Sequence, residues 1–350
     1  MRFIQDNSDE NLIFNISLAR MTFLSCKEKN FLSKKLDSSR SLALLSMEEI
    51  FSFLGRPVPA RALWDGRKNL EAAEKAARRC ELMGISVIHN GQREYPWMLR
   101  NIDNPPFVLY CRGNAGALNQ KCVSVVGTRR LTANGRRAAH DFAYGAARSG
   151  CTVVSGLAYG ADSCAHKGAV DAFFDALADG DSDSLGKTIA VLPSGIDEIV
   201  PAANKPLAEK ILKSGGCIVS EYEPGMPVAN WHFIARNRIV AGLSPAVVVI
   251  EAPAGSGALI TADLALESGR DVFFHESAVS QQAQEVSAVI KRSLDARFAR
   301  KEVSRYKIEN CVEKYLESGA ALIRDYDDYC KALAEMPGER GISVIQEDLF

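Results

Sequence analysis

The run CVSVVGTRR, Cys122 to Arg130, decides how the chain reads. Its valine-rich half lacks polar alternation, which suits a strand buried on both faces, and it ends in a glycine and two arginines. Comparable runs recur at TVVSG (152–156), TIAVLPSG (188–195), CIVSE (217–221), AVVVIEA (246–252) and DVFF (271–274). Helical stretches of about ten to fifteen residues separate them, and glycines sit at the strand ends. Strict alternation of this kind predicts an α/β fold, a Rossmann-like, doubly wound, mostly parallel sheet.

Upstream of this run, ISVIHN (85–90) predicts a short strand. PPFVLYCRG (105–113) predicts an extended edge segment, because paired prolines disfavour a central position. Between Asn11 and Leu63 the apolar residues recur at helical spacing, as in LIFNISLARM and SLALLSMEEIFSFLG, until Gly55 and Pro57 end the pattern. The expected organisation is a small N-terminal all-helical domain (1–65), an extended Rossmann-like core (66–330) and a short C-terminal tail (331–350). A further helix is expected from about Leu70 to Leu82, ending at Gly84. The acidic DALADGDSDSLGK (175–187) reads as a mobile surface loop. The charged stretch from Ser277 to Asn310 has fair helical periodicity and no clear strand.

Composition narrows the function. The net charge is −1, so phosphate binding would need a local basic patch rather than a global field. The nine cysteines include no C-x-x-C pair, which fits neither a zinc knuckle nor a disulfide framework and suits buried thiols in a reducing compartment. No signal-peptide pattern and no membrane-length apolar run occur, so a soluble cytoplasmic protein is expected, with no membrane partner. No metal site and no cofactor are expected either.

In open parallel sheets ligands bind at the carboxyl ends of strands, near helix N-termini. Four such strand-end notches stand out. Gly127, Thr128, Arg129 and Arg130 combine a close-approach turn, a following helix expected to offer free N–H groups, and counter-charge. The pattern is neither G-x-G-x-x-G nor a Walker loop, and a tight turn with solvated arginines reads the same way. Ser155 and Gly156 open the second notch, where Asp162 and His166 share a helix face. No nucleophile accompanies that pair, so hydrogen bonding at the helix start is expected of it rather than catalysis. In the third notch, Asn230 to Arg238, Phe233, Arg236 and Asn237 fall on one helical face and would suit a stacked base beside a held phosphate. A core role for Phe233 is the alternative. Ser256 and Gly257 form the fourth, a phosphate-sized notch at a helix start. Four notches on one sheet edge fit an extended polyanion better than one small cofactor.

Taken in order, VVGTRR, SGLAYGADSCAHKGAV, LPSGIDEIVPAANKPLAEKI, SEYEPG, FIARNRIVAGLS and GSGALITADLALESGRDVFF resemble the core of DprA/Smf proteins, and Tyr95 to Asn114 resembles the segment before it. The N-terminal helices resemble, more weakly, that family's sterile-alpha-motif-like domain. The resemblance implies a homodimer, non-enzymatic binding of single-stranded DNA, and protection of incoming DNA with loading of the recombinase RecA during natural transformation. Carried over, Gly127, Thr128 and Arg129 match the family's G-[ST]-R, with Arg129 on a phosphate. Phe233, Arg236 and Asn237 match F-x-x-R-N, with Phe233 beside a base, and Ser155, Gly156, Ser256 and Gly257 line the same pocket. AVVVIEA and the helix from Ala258 to Ser268 are apolar, and the resemblance implies a dimer surface near this end of the sheet.

Three departures stand out. His275-Glu276-Ser277 replaces a proline–glycine turn, the segment to about Asn310 replaces a compact loop, and the twenty residues after Cys330 are too few for a winged-helix domain. The competing reading is a nucleotide-processing hydrolase, or a nucleotide sensor, of the related lysine-decarboxylase-like group. Those enzymes resemble P-G-G-x-G-T-x-x-E at the fourth notch, and here Thr261 stands where their glutamate would. A hydrolase without its acid–base group loses orders of magnitude in rate.

Overall fold

Each valine-rich run forms a strand. In the computed structural model, which describes residues 2–59, 62–180 and 184–335, these are β3 (Cys122–Val126), β4 (Thr152–Ser155), β5 (Thr188–Gly195), β6 (Cys217–Tyr222), β7 (Ala246–Val249) and β8 (Asp271–His275). Two strands precede them, β1 (Ser86–His89) and β2 (Val108–Gly113), and β9 (Ala321–Ile323) follows. All join one nine-stranded sheet in the order β1-β2-β6-β5-β4-β3-β7-β8-β9. Pairing is antiparallel at β1–β2 and β2–β6 and parallel from β6 through to β9.

The sequence of β2 was expected at an edge, and the structure corrects this. β2 has neighbours on both sides, and β1 takes the edge. Pro105 and Pro106 lie before the strand begins at Val108, so neither removes a ladder donor.

The helices are α1 (Arg2–Ala19), α2 (Cys26–Lys35), α3 (Ser39–Leu44), α4 (Met47–Phe53), α5 (Gly66–Leu82), α6 (Trp97–Arg100), α7 (Ala133–Arg148), α8 (Ala161–Asp179), α9 (Lys205–Lys213), α10 (Asn230–Gly242), α11 (Gly257–Glu267), α12 (Gln281–Ala299), α13 (Arg305–Glu309), α14 (Val312–Glu317) and α15 (Tyr326–Glu335). Side-chain alternation along the strands feeds two faces. Val126, Val154, Val191, Val219 and Val249 pack beneath α10 and α11. Val123, Val125, Val153 and Val248 pack against α7, α8 and α15 on the opposite face. The N-terminal helices continue that second layer: Phe14, Leu32 and Phe51 share one buried cluster with Tyr110, Leu192 and Ile218.

Two further expectations change. The segment 175–187 is not all loop: α8 runs on to Asp179, because DALAD continues the helical register, and Gly180 ends it with φ +79°. Residues 181–183 of that segment lie outside the described residues. AVVVIEA is not available as a dimer surface, since β7 lies between β3 and β8 and its four residues are buried within the protomer. All nine cysteines are free thiols, six of them buried. Among the described residues no helix is long and apolar enough to cross a membrane.

Candidate nucleic-acid interface

After β6 the chain crosses back to place β7 on the far side of β3, which creates a topological switch point between β3 and β7. A cleft of about 480 Å³ opens there at the carboxyl edge. Gly127, Thr128, Arg129, Arg130, Gly156, Phe233, Arg236, Asn237, Ser256 and Gly257 all line it, so four notches far apart in sequence form one site. Ser155 and Asn230 do not line it. The Ser155 hydroxyl is buried and donates to Val125 O at 2.6 Å, tying β4 to β3. Asn230 stands exposed at the start of α10.

The helix N-termini differ in a way the sequence concealed. Free N–H groups were expected after Arg130, yet α7 already holds an internal anion. Thr132 caps Gly135 N–H at 3.0 Å, and the buried Glu251 carboxylate accepts from Thr132 N (2.9 Å) and Oγ1 (2.6 Å). Gly135 is required there, because a Cβ would sit 2.4 Å from that carboxylate. At α8 the first N–H, of Ala161, is taken by Thr128 O at 3.2 Å. Gly160 lets the two loops meet at φ +80°, where a Cβ would stand 2.3 Å from Thr128 O. By contrast α11 has no side-chain cap, and the Ser256 hydroxyl at its start is buried without a hydrogen-bond partner among the described residues. Of these three termini, α11 is the one left to receive an anion.

The cleft floor is polar and fixed. Asp162 Oδ2 accepts from Gly156 N (3.1 Å) and Ala158 N (3.2 Å), which holds the turn containing Leu157 at φ +55°. A left-handed leucine costs about 1–3 kcal/mol and persists only under such constraint. Arg236 is buried, and its Nη1 donates to Gly156 O (2.6 Å) and to Val191 O. A Cβ on Gly156 would lie 2.0 Å from that nitrogen, so glycine admits the guanidinium. Burial pushes the Asp162 carboxyl up, and the Arg236 charge opposes the shift. His166 is fully buried on Thr188 Oγ1 at 2.7 Å, and burial, with the Arg236 charge adding to it, pushes it down to about 3. A neutral imidazole and a carboxylate occupied by N–H donors make structural hydrogen bonds, as expected of Asp162 and His166.

Above this floor the cations are free. Arg129 and Arg130 are exposed and have no carboxylate partner among the described residues. The Arg129 guanidinium lies 5.7 Å from the centroid of the half-buried Phe233 ring, bringing the first and third notches together. Asn237 Nδ2 reaches Gly257 O at 3.5 Å, a weak link from α10 to α11. One lining residue escaped sequence reasoning: Lys307, exposed and without a carboxylate partner among the described residues, comes from α13. Its segment matches no motif, and nothing in the sequence signals its return to a cleft built about fifty residues earlier. Among the described residues no group of three or more His, Cys, Asp or Glu could hold a metal ion.

Fold and cleft together define an extended Rossmann-type protein with an anion-receptive switch point, cationic above and uncharged at the α11 terminus. The chain belongs to the DNA recombination-mediator protein A family, whose model matches residues 86–333. It is 32% identical to protein Smf of Borreliella burgdorferi over 256 residues, covering 73% of this chain and 76% of that protein. With the DNA processing protein DprA of Bacillus subtilis the identity is 37% over 54% of this chain and 60% of the relative. The match thus spans less than two thirds of the B. subtilis protein. The structure of DprA from Streptococcus pneumoniae superposes with a TM-score of 0.64 at 28% identity, covering 93% of this chain and 98% of that one. A structure of DNA processing protein A from Helicobacter pylori, reported for its unique single-stranded DNA binding mode, gives a TM-score of 0.53 at 25% identity, covering 72% and 96%.

Proposed function

We propose that the switch-point cleft binds single-stranded DNA, and that the protein acts without catalysis, protecting incoming strands and passing them to RecA recombinase in DNA processing. The observation that carries this reading is the convergence of free cations, an aromatic ring and an uncapped helix N-terminus on one fixed floor. Phosphates need the first and third, and an unpaired base can stack on the second. A duplex hides its base faces, so a single strand suits the site better. Membership of the family supports the reading, as does the single-stranded DNA binding reported for the H. pylori relative. The carboxylates beside the cleft, Asp162 and Glu251, are held by N–H and hydroxyl donors, which favours binding over hydrolysis. A homodimer remains part of the proposal, and it would have to use surfaces outside β7.

Competition between single-stranded and duplex oligonucleotides, with a nucleotide-turnover assay alongside, tests the reading. Preference for single strands without turnover is expected. Arg129-dependent hydrolysis of a nucleoside monophosphate would replace it with the hydrolase alternative.

Phe233→Ala should weaken single-strand binding by about 1–3 kcal/mol while leaving the salt dependence nearly unchanged, because stacking releases no counterions. Anisotropy titrations at several salt concentrations check both quantities, and a thermal melt confirms that the variant is folded.

A further inference from the structure

The segment between β8 and α14 is basic. Between Ser277 and Asn310 it carries seven lysines and arginines against four carboxylates, a surplus of three positive charges in a chain whose net charge is −1. Most of that charge is displayed. In the nineteen-residue α12, Leu294 alone is buried.

The segment is nonetheless firmly placed beside the cleft. Ala283 and Val286 line a small recess together with Thr128 and Arg130, from the turn that follows β3. At Gly255 a Cβ would meet Lys307 O at 2.5 Å and Leu294 at 3.3 Å, and Gly255 N–H donates to Asn310 O at 2.8 Å. Asp263 of α11 holds the returning arm. It accepts from Asn310 Nδ2 (2.8 Å), from Tyr315 Oη (2.7 Å) and from the Tyr306 hydroxyl. The hairpin is therefore fixed next to the uncapped α11 terminus. Past Leu294, α12 continues to Ala299, about 7.5 Å at 1.5 Å per residue, before the turn leads into α13.

That projecting turn is where the positive charge gathers. Lys301 has no carboxylate partner among the described residues. Arg300 and Arg305 have side chains 65% and 79% exposed, paired with Glu302 and Glu309. Exposed ion pairs are worth little, so both arginines can turn to a phosphate at small cost.

We propose that the α12–α13 hairpin is a second phosphate-binding element, which takes the sugar–phosphate backbone of a strand where it leaves the cleft. This rests on the reading of the cleft as a single-strand site. The ligand chemistry is that of successive phosphodiesters, with no base readout.

Two oligothymidylates separate the sites, one of about five nucleotides and one of about twenty. The triple variant Arg300→Gln/Lys301→Gln/Arg305→Gln should bind the short strand within about twofold of the parent. Its affinity for the long strand should fall about tenfold at low salt, with a salt slope lower by about 0.7 for each phosphate that is no longer neutralised. Glu302→Gln releases Arg297 and Arg300 from their shared carboxylate and should strengthen long-strand binding, an independent gain that does not depend on the triple variant. An unchanged long-strand slope in the triple variant, or an equal loss on both strands, overturns the proposal. The cleft reading fails by a different result. If Arg129→Ala binds the short strand like the parent, the cleft assignment falls and the hairpin extension falls with it.

Discussion

Arg236→Ala is expected to cost about 3–5 kcal/mol of folding stability, the scale of loss when a buried charge is left uncompensated. Arg236 is buried, braces the carbonyls of Gly156 and Val191, and supplies the charge that opposes the upward shift of the buried Asp162. Removing it leaves two carbonyls without their donor and a carboxylate without its counter-charge. The effect should depend on pH, and its sign follows from Asp162. A carboxyl whose folded-state pKa lies above its unfolded value takes up a proton on folding. Its contribution is present at acid pH and is lost as the pH rises through the folded value. Without Arg236 the carboxyl moves further up, so the defect should be smallest at acid pH and grow toward neutrality. Denaturant melts of parent and variant across that range measure it. A defect that stays constant on acidification would show that Asp162 and Arg236 are not linked through charge.

Arg236 also shows what the sequence could and could not convey. The spacing of Phe233, Arg236 and Asn237 correctly placed all three along one helix face, and all three line the cleft. Spacing could not distinguish a guanidinium reaching outward from one turned down into strand-end carbonyls, because that depends on Gly156 being free of a side chain about eighty residues away. The strands were legible for a simpler reason. A run such as AVVVIEA has few alternatives to a strand buried on both faces. The position of β2 was misjudged because the prolines were counted as part of the strand they precede.

The helix termini mark the limit of local reading. GTRR followed by a threonine-capped helix looks like an open phosphate site. The carboxylate that fills the terminus, Glu251, lies just past the end of β7, more than a hundred residues later. Conversely, the plain sequence GSGAL at α11 carries no arginine, yet it holds the uncapped terminus. Lys307 completes the pattern, since its place in the cleft depends on the Asp263 hydrogen bonds that fold the α12–α13 hairpin back. Motifs revealed which strand ends converge, and only the tertiary fold revealed which of their donors are still free.

In the proposed binding mode a few free cations on this edge hold a single strand, and Arg129 is the cation that tests it most sharply. It is exposed, lacks a carboxylate partner among the described residues, and stands beside Phe233 at the mouth of the cleft. A guanidinium–phosphate hydrogen bond contributes about 1.5–3 kcal/mol, so Arg129→Ala should weaken binding by roughly tenfold to a hundredfold. Because the chain as a whole is nearly neutral, no diffuse field compensates for the loss. The measurement is a salt titration of single-strand affinity for the parent and Arg129→Ala, with a thermal melt confirming that both are folded. The expected result is weaker binding together with a salt slope flatter by about 0.7 for each phosphate that Arg129 neutralises. An Arg129→Ala protein that binds single strands like the parent at every salt concentration would contradict the assignment of the cleft.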